Sequence, residues 1–195
     1  MKERGILFSA PMVRAILKGM KTQTRRIAKL NASGRVQLRG KQWHVDDPDA
    51  VRACPHGQPG DSLWVREAWA QPASLDPGPT FYRADYPECV PPQFENVPEV
   101  GDIRWRSPIH MFRRDSRITL AITSVRLERL HDISEFDAIA EGMPSRYALV
   151  PQAATDLWHP PFAISCYRDL WESLHGLHTW EANPWVWVID FRRVD

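Results

Sequence analysis

Gly19-Met20-Lys21-Thr22-Gln23-Thr24-Arg25-Arg26 stands directly after a short amphipathic stretch, and its last six residues hold a lysine, two hydroxyls and two guanidinium groups. Upstream, Ile6-Leu7-Phe8 reads as a short strand, Ser9 occupies an N-cap position and Pro11 suits a first helical turn. Val13, Ile16, Leu17 and Met20 follow helical spacing, with Gly19 placed for a left-handed C-terminal turn. A regular strand from Lys21 would send Lys21 and Thr24 to opposite faces, because side chains alternate with period two. The two can cooperate only if the segment opens as a turn, which Gly19 permits.

Working outward, residues 28–58 are polar without a sustained period and read as a loop holding a hairpin at 36–38 and 43–45. A Gly57–Asp61 turn leads into a strand over 62–67. Residues 70–116 form a proline-rich excursion containing a short strand at Phe81-Tyr82-Arg83 and the triplet Arg104-Trp105-Arg106. The stretch 117–127 is the clearest long strand. Ile118, Leu120 and Ile122 share one parity and Val125 and Leu127 the other, which predicts a bulge near Thr123-Ser124. Ser134 and Asp137 form a capping box with Asp in place of Glu, opening a helix that stops at Gly142. Residues Phe162–His175 read as an amphipathic helix with Phe162, Cys166, Leu170 and Leu174 on its buried stripe and Trp171 beside it. The stretch 185–191 is apolar on both parities and reads as a central, buried strand.

The chain of 195 residues suits one domain, 1–195, with insertions at about 28–58, 70–116 and 143–161. A net charge of +1 does not predict a broad electropositive groove for nucleic acid. Three scattered cysteines do not make a disulfide framework and favour a reducing cytoplasm. The start carries no secretory pattern, and no apolar run approaches the ~20 residues that span a bilayer. Nine tryptophans and seventeen prolines point to rigid loops around a core with aromatic surfaces for packing or stacking.

With these pieces in order, the chain resembles the ASCH family, a branch of the PUA-like small β-barrels. The resemblance rests on residues 19–25, on Pro59-Gly60-Asp61-Ser62-Leu63-Trp64-Val65, on Ile118-Thr119-Leu120, on Ala140-Glu141-Gly142-Met143 and on the closing strand 186–191. It implies an α+β fold: a small PUA-like β-barrel with flanking helices and long proline-rich insertions, similar to the long ASCH proteins of phages and prophages. Some small bacterial members are amidohydrolases that remove the acyl group from N4-acetylcytidine with a lysine, a threonine and a glutamate, without metal. Those roles would fall here on Lys21, Thr24 and Glu141.

The residues allow that chemistry. Thr24 supplies a hydroxyl nucleophile or orients a water, Lys21 acts as base if burial and the neighbouring Arg25 and Arg26 lower its pKa, and Glu141 acts as acid. Substrate contacts are expected from Ser9, Thr22, Arg25, Arg26, Trp64, Arg66, Trp69 and Tyr82, the aromatics holding a flat base and the arginines phosphate. For Trp64, Trp185 and Trp187 plain barrel packing is the preferred reading. Cys54-Pro55-His56 lacks a second pair at zinc-like spacing, so neither metal nor cofactor is expected; Cys166 reads as core. The expected partner is a nucleoside or modified cytosine base. Two other readings stand beside the enzyme: a non-catalytic module binding RNA or a modified base, and a phage-type accessory protein that binds a host protein through its insertions.

Overall fold

The structure, a computed structural model, describes residues 1–71, 79–94, 96–145 and 162–194. In chain order its elements are β1 (Glu3–Leu7), α1 (Ala10–Leu17), β2 (Gln23–Ile27), β3 (Arg35–Leu38), β4 (Lys41–His44), β5 (Ser62–Arg66), β6 (Trp69–Ala70), β7 (Phe81–Tyr82), β8 (Thr119–Arg129), α2 (Glu135–Ala140), α3 (Phe162–His175) and β9 (Trp185–Val194). Most of the expected 143–161 insertion lies outside the described residues.

One sheet of five strands, ordered β1-β5-β8-β9-β2, organises the molecule, and β1 with β5 is its parallel pair. The hairpin β3–β4 and the short pair β6–β7 lie apart from it. The fold is therefore mixed α+β around one sheet. Its edge strands β1 and β2 share no backbone ladder among the described residues; the Arg26 side chain links them by donating from Nη2 to the Leu7 carbonyl at 2.9 Å.

The long pair β8–β9 carries the expected bulge as a register shift between Ile122 and Ser124. Its effect is to keep Ile118, Leu120 and Ile122, before the shift, and Val125 and Leu127, after it, against one core. The opposite parity, Ser124, Arg126 and Glu128, is turned to the other face, where it is polar. Strand β9 is apolar on both faces: Trp187, Ile189 and Phe191 join the core beneath α1, while Val186 and Val188 join a second core with α2 and α3.

Three sequence expectations are corrected. The buried face of α3 is Ala163, Tyr167 and Trp171, whereas Leu174 is 51% exposed and Cys166 only half-buried. The helix is rotated by one residue, which seats two large rings against the second core and aims the Tyr167 hydroxyl inward. Met20 lies off the α1 stripe and is exposed, because the chain has already turned at Gly19 (φ 70°). Of three tryptophans assigned to packing, Trp187 is in the core and Trp185 packs against it half-buried, beneath Arg129, but Trp64 joins no core among the described residues and lies half-buried under Arg66.

Candidate active site

The site is built on the sheet edge formed by β2. Within β2, side chains alternate: Gln23 and Arg25 face α2 and α3, and Thr24 and Arg26 face the α1 core. Cross-strand pairing agrees, with Gln23 opposite Asp190 and Thr24 opposite Ile189. Lys21 precedes the strand. The Gly19 turn returns the Met20 and Lys21 amides to the Ala15 carbonyl, at 2.8 and 3.1 Å, and leaves the Lys21 side chain at the edge where the two faces meet.

There Lys21 Nζ donates to the Gln23 carbonyl at 2.8 Å, to the Glu141 carbonyl at 2.9 Å and to Glu141 Oε2 at 2.5 Å. All three ammonium hydrogens thus have acceptors, and the side chain is fully enclosed. Burial pulls the Lys21 pKa down, the Glu141 carboxylate pushes it up, and Arg26 and Arg25 pull it down again, leaving it below the ordinary lysine value. Glu141 is the C-cap of α2. Its Oε1 accepts from the Tyr167 hydroxyl at 3.4 Å and lies 3.6 Å from Arg25 Nη1. Gly142 follows at φ 96°, and a Cβ there would sit 3.0 Å from Ala15 Cβ and 3.3 Å from Lys21 Cβ. Only glycine brings the helix end this close to the lysine.

Behind the pair lies a polar lattice on the α2 face. Arg25 donates to Gln23 Oε1 at 2.5 Å and to Glu128 at 2.8 Å, and Gln23 donates to Asp137 and Asp190 at 2.9 and 2.6 Å. Arg126 bonds Glu128, Asp190 and Asp137 at 3.0, 2.8 and 2.8 Å. Burial alone would raise the Asp137 pKa, but hydrogen bonds from Ser134 and Gln23 and the charge of Arg25 outweigh it and bring the carboxyl down to about 2.

On the opposite face Thr24 is fully buried, and its Oγ1 accepts from Arg26 Nη1 at 2.6 Å. The Phe8 ring gathers this group: Lys21 Nζ stands 5.6 Å and the Arg26 guanidinium carbon 5.1 Å from its centroid. Further along β2 lies a cavity of about 320 Å³, lined in part by Ile27, Val36, His56 and Trp187 and by none of Phe8, Lys21, Thr24, Arg26 or Glu141. Trp187 is the cross-strand partner of Arg26. Burial, with Arg26 and Arg4, lowers the His56 pKa to about 4, so the imidazole is neutral at physiological pH.

Lys21 and Glu141 are therefore in direct contact, whereas Thr24 lies on the opposite face of β2, bound to Arg26 and related to Lys21 through the Phe8 ring that Lys21 and Arg26 both approach; Arg25 is held in the lattice. Ser9 starts α1 next to Phe8, without a side-chain capping bond. The Thr22 side chain is exposed, while its backbone bonds Ala140 and Phe191 at 2.8 Å each. Arg66 stacks on Trp64 at 4.6 Å, and its backbone carbonyl accepts from the Phe8 amide. Trp69 and Tyr82 pair across β6–β7 instead, with Arg106 over Trp69 and Arg117 over Tyr82. Sequence reading missed Phe8, Gln23, Asp137, Arg126 and Tyr167. Tyr167 carried the clearest signal, a polar-tipped ring one position from the assumed helix stripe.

Among the described residues, no group of three or more His, Cys, Asp or Glu side chains is placed to hold a metal ion, and no helix is long and apolar enough to cross a membrane. Burial raises the Cys54 thiol to about 11, which keeps it protonated beside His56. The chain matches no known family model, no curated protein and no solved structure.

Proposed function

We propose that this protein is an amidohydrolase of the ASCH type, its curved sheet a PUA-like barrel, acting on N4-acylated cytosine nucleosides such as N4-acetylcytidine. The observation that carries the reading is the 2.5 Å contact of Lys21 with Glu141, residues 120 positions apart that are both buried, as Thr24 is. A proton shared across so short a contact yields base and acid together: moved to the carboxylate, it leaves a neutral amine on Lys21 and a carboxylic acid on Glu141. Burial of Lys21 favours that direction.

In the proposed reaction the Lys21 amine takes the proton of Thr24 Oγ1, or of a water that Thr24 orients, as the oxygen bonds to the acyl carbon. Arg26, already donating to Oγ1, offsets the negative charge that develops there. Glu141 protonates N4 as the carbon–nitrogen bond breaks, and the free cytosine nucleoside departs. In the threonine-ester route, water then releases the carboxylic acid and returns a proton to Oγ1; in the water route the acid leaves directly. Either way the pair ends as ammonium and carboxylate, ready for a second cycle. Base, acid and nucleophile are all side chains. The cavity beside Trp187 and neutral His56 has the size and lining for a flat base.

The test is hydrolysis of N4-acetylcytidine by the purified chain after exhaustive chelation, with Lys21→Met, Thr24→Val and Glu141→Gln beside it. Turnover by the parent, reduced at least about a hundredfold in each folded variant, is the expected result. The saturation of Lys21 by three acceptors favours a second reading, a binding module for RNA or a modified base in which the pair only shapes the pocket. Absence of turnover with an intact fold would select it.

A further inference from the structure

The insertion between β7 and β8 holds a second site that the proposed reaction does not use. A cavity of about 870 Å³ lies there, and its wall includes Arg104, Arg106 and His110 with Trp105 and, among the described residues, one carboxylate, Asp102. Arg104 and Arg106 are exposed, and neither forms an ion pair among the described residues. The arginines of the main site differ in kind: Arg25 is enclosed by carboxylates, and Arg26 spends its donors on Thr24 and two carbonyls. On a chain with net charge +1, an unneutralised pair of guanidiniums beside an indole is a local concentration of positive charge.

Its place in the fold is informative. Arg106 is joined to Trp69 by reciprocal backbone bonds of 3.3 and 2.7 Å, and its guanidinium stacks on that ring at 4.9 Å. Trp69 follows Arg66 by three residues, a span of about 10 Å at most. Arg66 accepts the Phe8 amide at 3.1 Å, and the Phe8 ring lies against both Lys21 and Arg26. The basic cavity and the Lys21 site therefore stand at the same end of the β1–β5 pair, separated by one short connection. A free nucleoside bound at Lys21 carries no charge for the cavity to recognise. A base within a strand carries phosphates on both sides.

We infer that the Arg104–Arg106–His110 cavity grips the phosphodiester backbone of a single-stranded polynucleotide whose modified cytosine enters the Lys21–Thr24 site. The guanidiniums meet phosphate oxygens in forked pairs, His110 adds a donor and Trp105 offers a face to an unstacked base. This inference takes its substrate class from the amidohydrolase reading, but its binding step stands on the cavity alone.

The experiment is fluorescence anisotropy with a labelled twelve-nucleotide strand bearing one central N4-acetylcytosine, as RNA and as DNA of the same sequence, against increasing salt. Binding of at least one strand by the parent is expected. Arg104→Gln/Arg106→Gln weakens it roughly twenty-fold near 0.1 M salt and flattens the salt slope by about 1.4, since each single-strand phosphate contact contributes ~0.7. Arg104→Glu, which alters an exposed side chain alone, weakens it in the same direction and guards against a folding defect. Hydrolysis of the free nucleoside is unchanged in both variants. The tighter of RNA and DNA identifies the source of the strand. Parent-like strand binding by the variants, or no binding of either strand by the parent, overturns the inference. Loss of strand binding in the variants of a parent that hydrolyses nothing removes the enzyme reading and leaves the groove.

Discussion

A lysine and a glutamate removed from water together depend chiefly on each other, with the Gln23 carbonyl as the lysine's one further hydrogen-bond partner among the described residues. The Lys21–Glu141 contact satisfies one carboxylate oxygen at 2.5 Å, and the other rests on Tyr167 and, more distantly, Arg25. Deleting one partner leaves a charge stranded where solvent cannot reach it, whereas deleting both leaves an apolar space. Lys21→Met and Glu141→Leu are each expected to cost about 3–5 kcal/mol of stability in urea unfolding, and the double variant distinctly less than their sum. Additive losses would show that the two groups do not act as a pair. Thr24 contrasts with them, since its hydroxyl meets one donor, Arg26, and keeps its own proton free for chemistry.

At the scale of elements, α2 is six residues long and works through both of its ends. At the start, the Ser134–Asp137 capping box holds the first turn, and Asp137 also receives Gln23 and Arg126 from β2 and β8. At the finish, the Glu141 carbonyl and carboxylate both receive Lys21. Because a Cβ at Gly142 would press on Ala15 and Lys21 in a backbone conformation that disfavours L side chains, Gly142→Ala is expected to destabilise by about 1–2 kcal/mol. It should also lower kcat more than its stability loss explains, because it moves acid from base without touching either. Steady-state kinetics beside urea titration checks this, and unchanged kcat would separate the helix end from the reaction. The sequence displayed both ends of α2 openly, through a Ser-x-x-Asp cap and a terminal glycine. It did not display the rotation of α3, because Cys166 and Leu170 are as apolar as a buried stripe requires. The choice of Tyr167 and Trp171 depends on the surface of β9 that they meet.

For the molecule as a whole, Arg117 at the foot of β8 joins the sheet to the excursion that carries the basic cavity. It forms paired bonds with Glu67, both at 3.0 Å, and with Asp85, both at 2.7 Å, and stacks on Tyr82 at 4.0 Å. Burial raises the Glu67 carboxyl, against the lowering effect of Arg117, so removal of the guanidinium leaves a costly buried acid. Arg117→Met is expected to lose about 3 kcal/mol or more, with residues 79–94 becoming the first site of limited proteolysis. Cleavage that instead begins elsewhere at the parent rate would remove Arg117 from this role. Sequence alone determined most strands and helices though not β2 or β6, together with the bulge in β8, both caps of α2 and the turn that frees Lys21 from strand parity, because each is written in neighbouring residues and in periods of 2 or 3.6. Only the tertiary structure decided that Lys21 meets Glu141 across 120 residues, that Arg25 serves the carboxylate lattice and Arg26 serves Thr24, and that Trp69 and Tyr82 pair away from both. These outcomes depend on which charges the folded sheet brings out of water together, and that balance of burial against pairing belongs to no single stretch of chain.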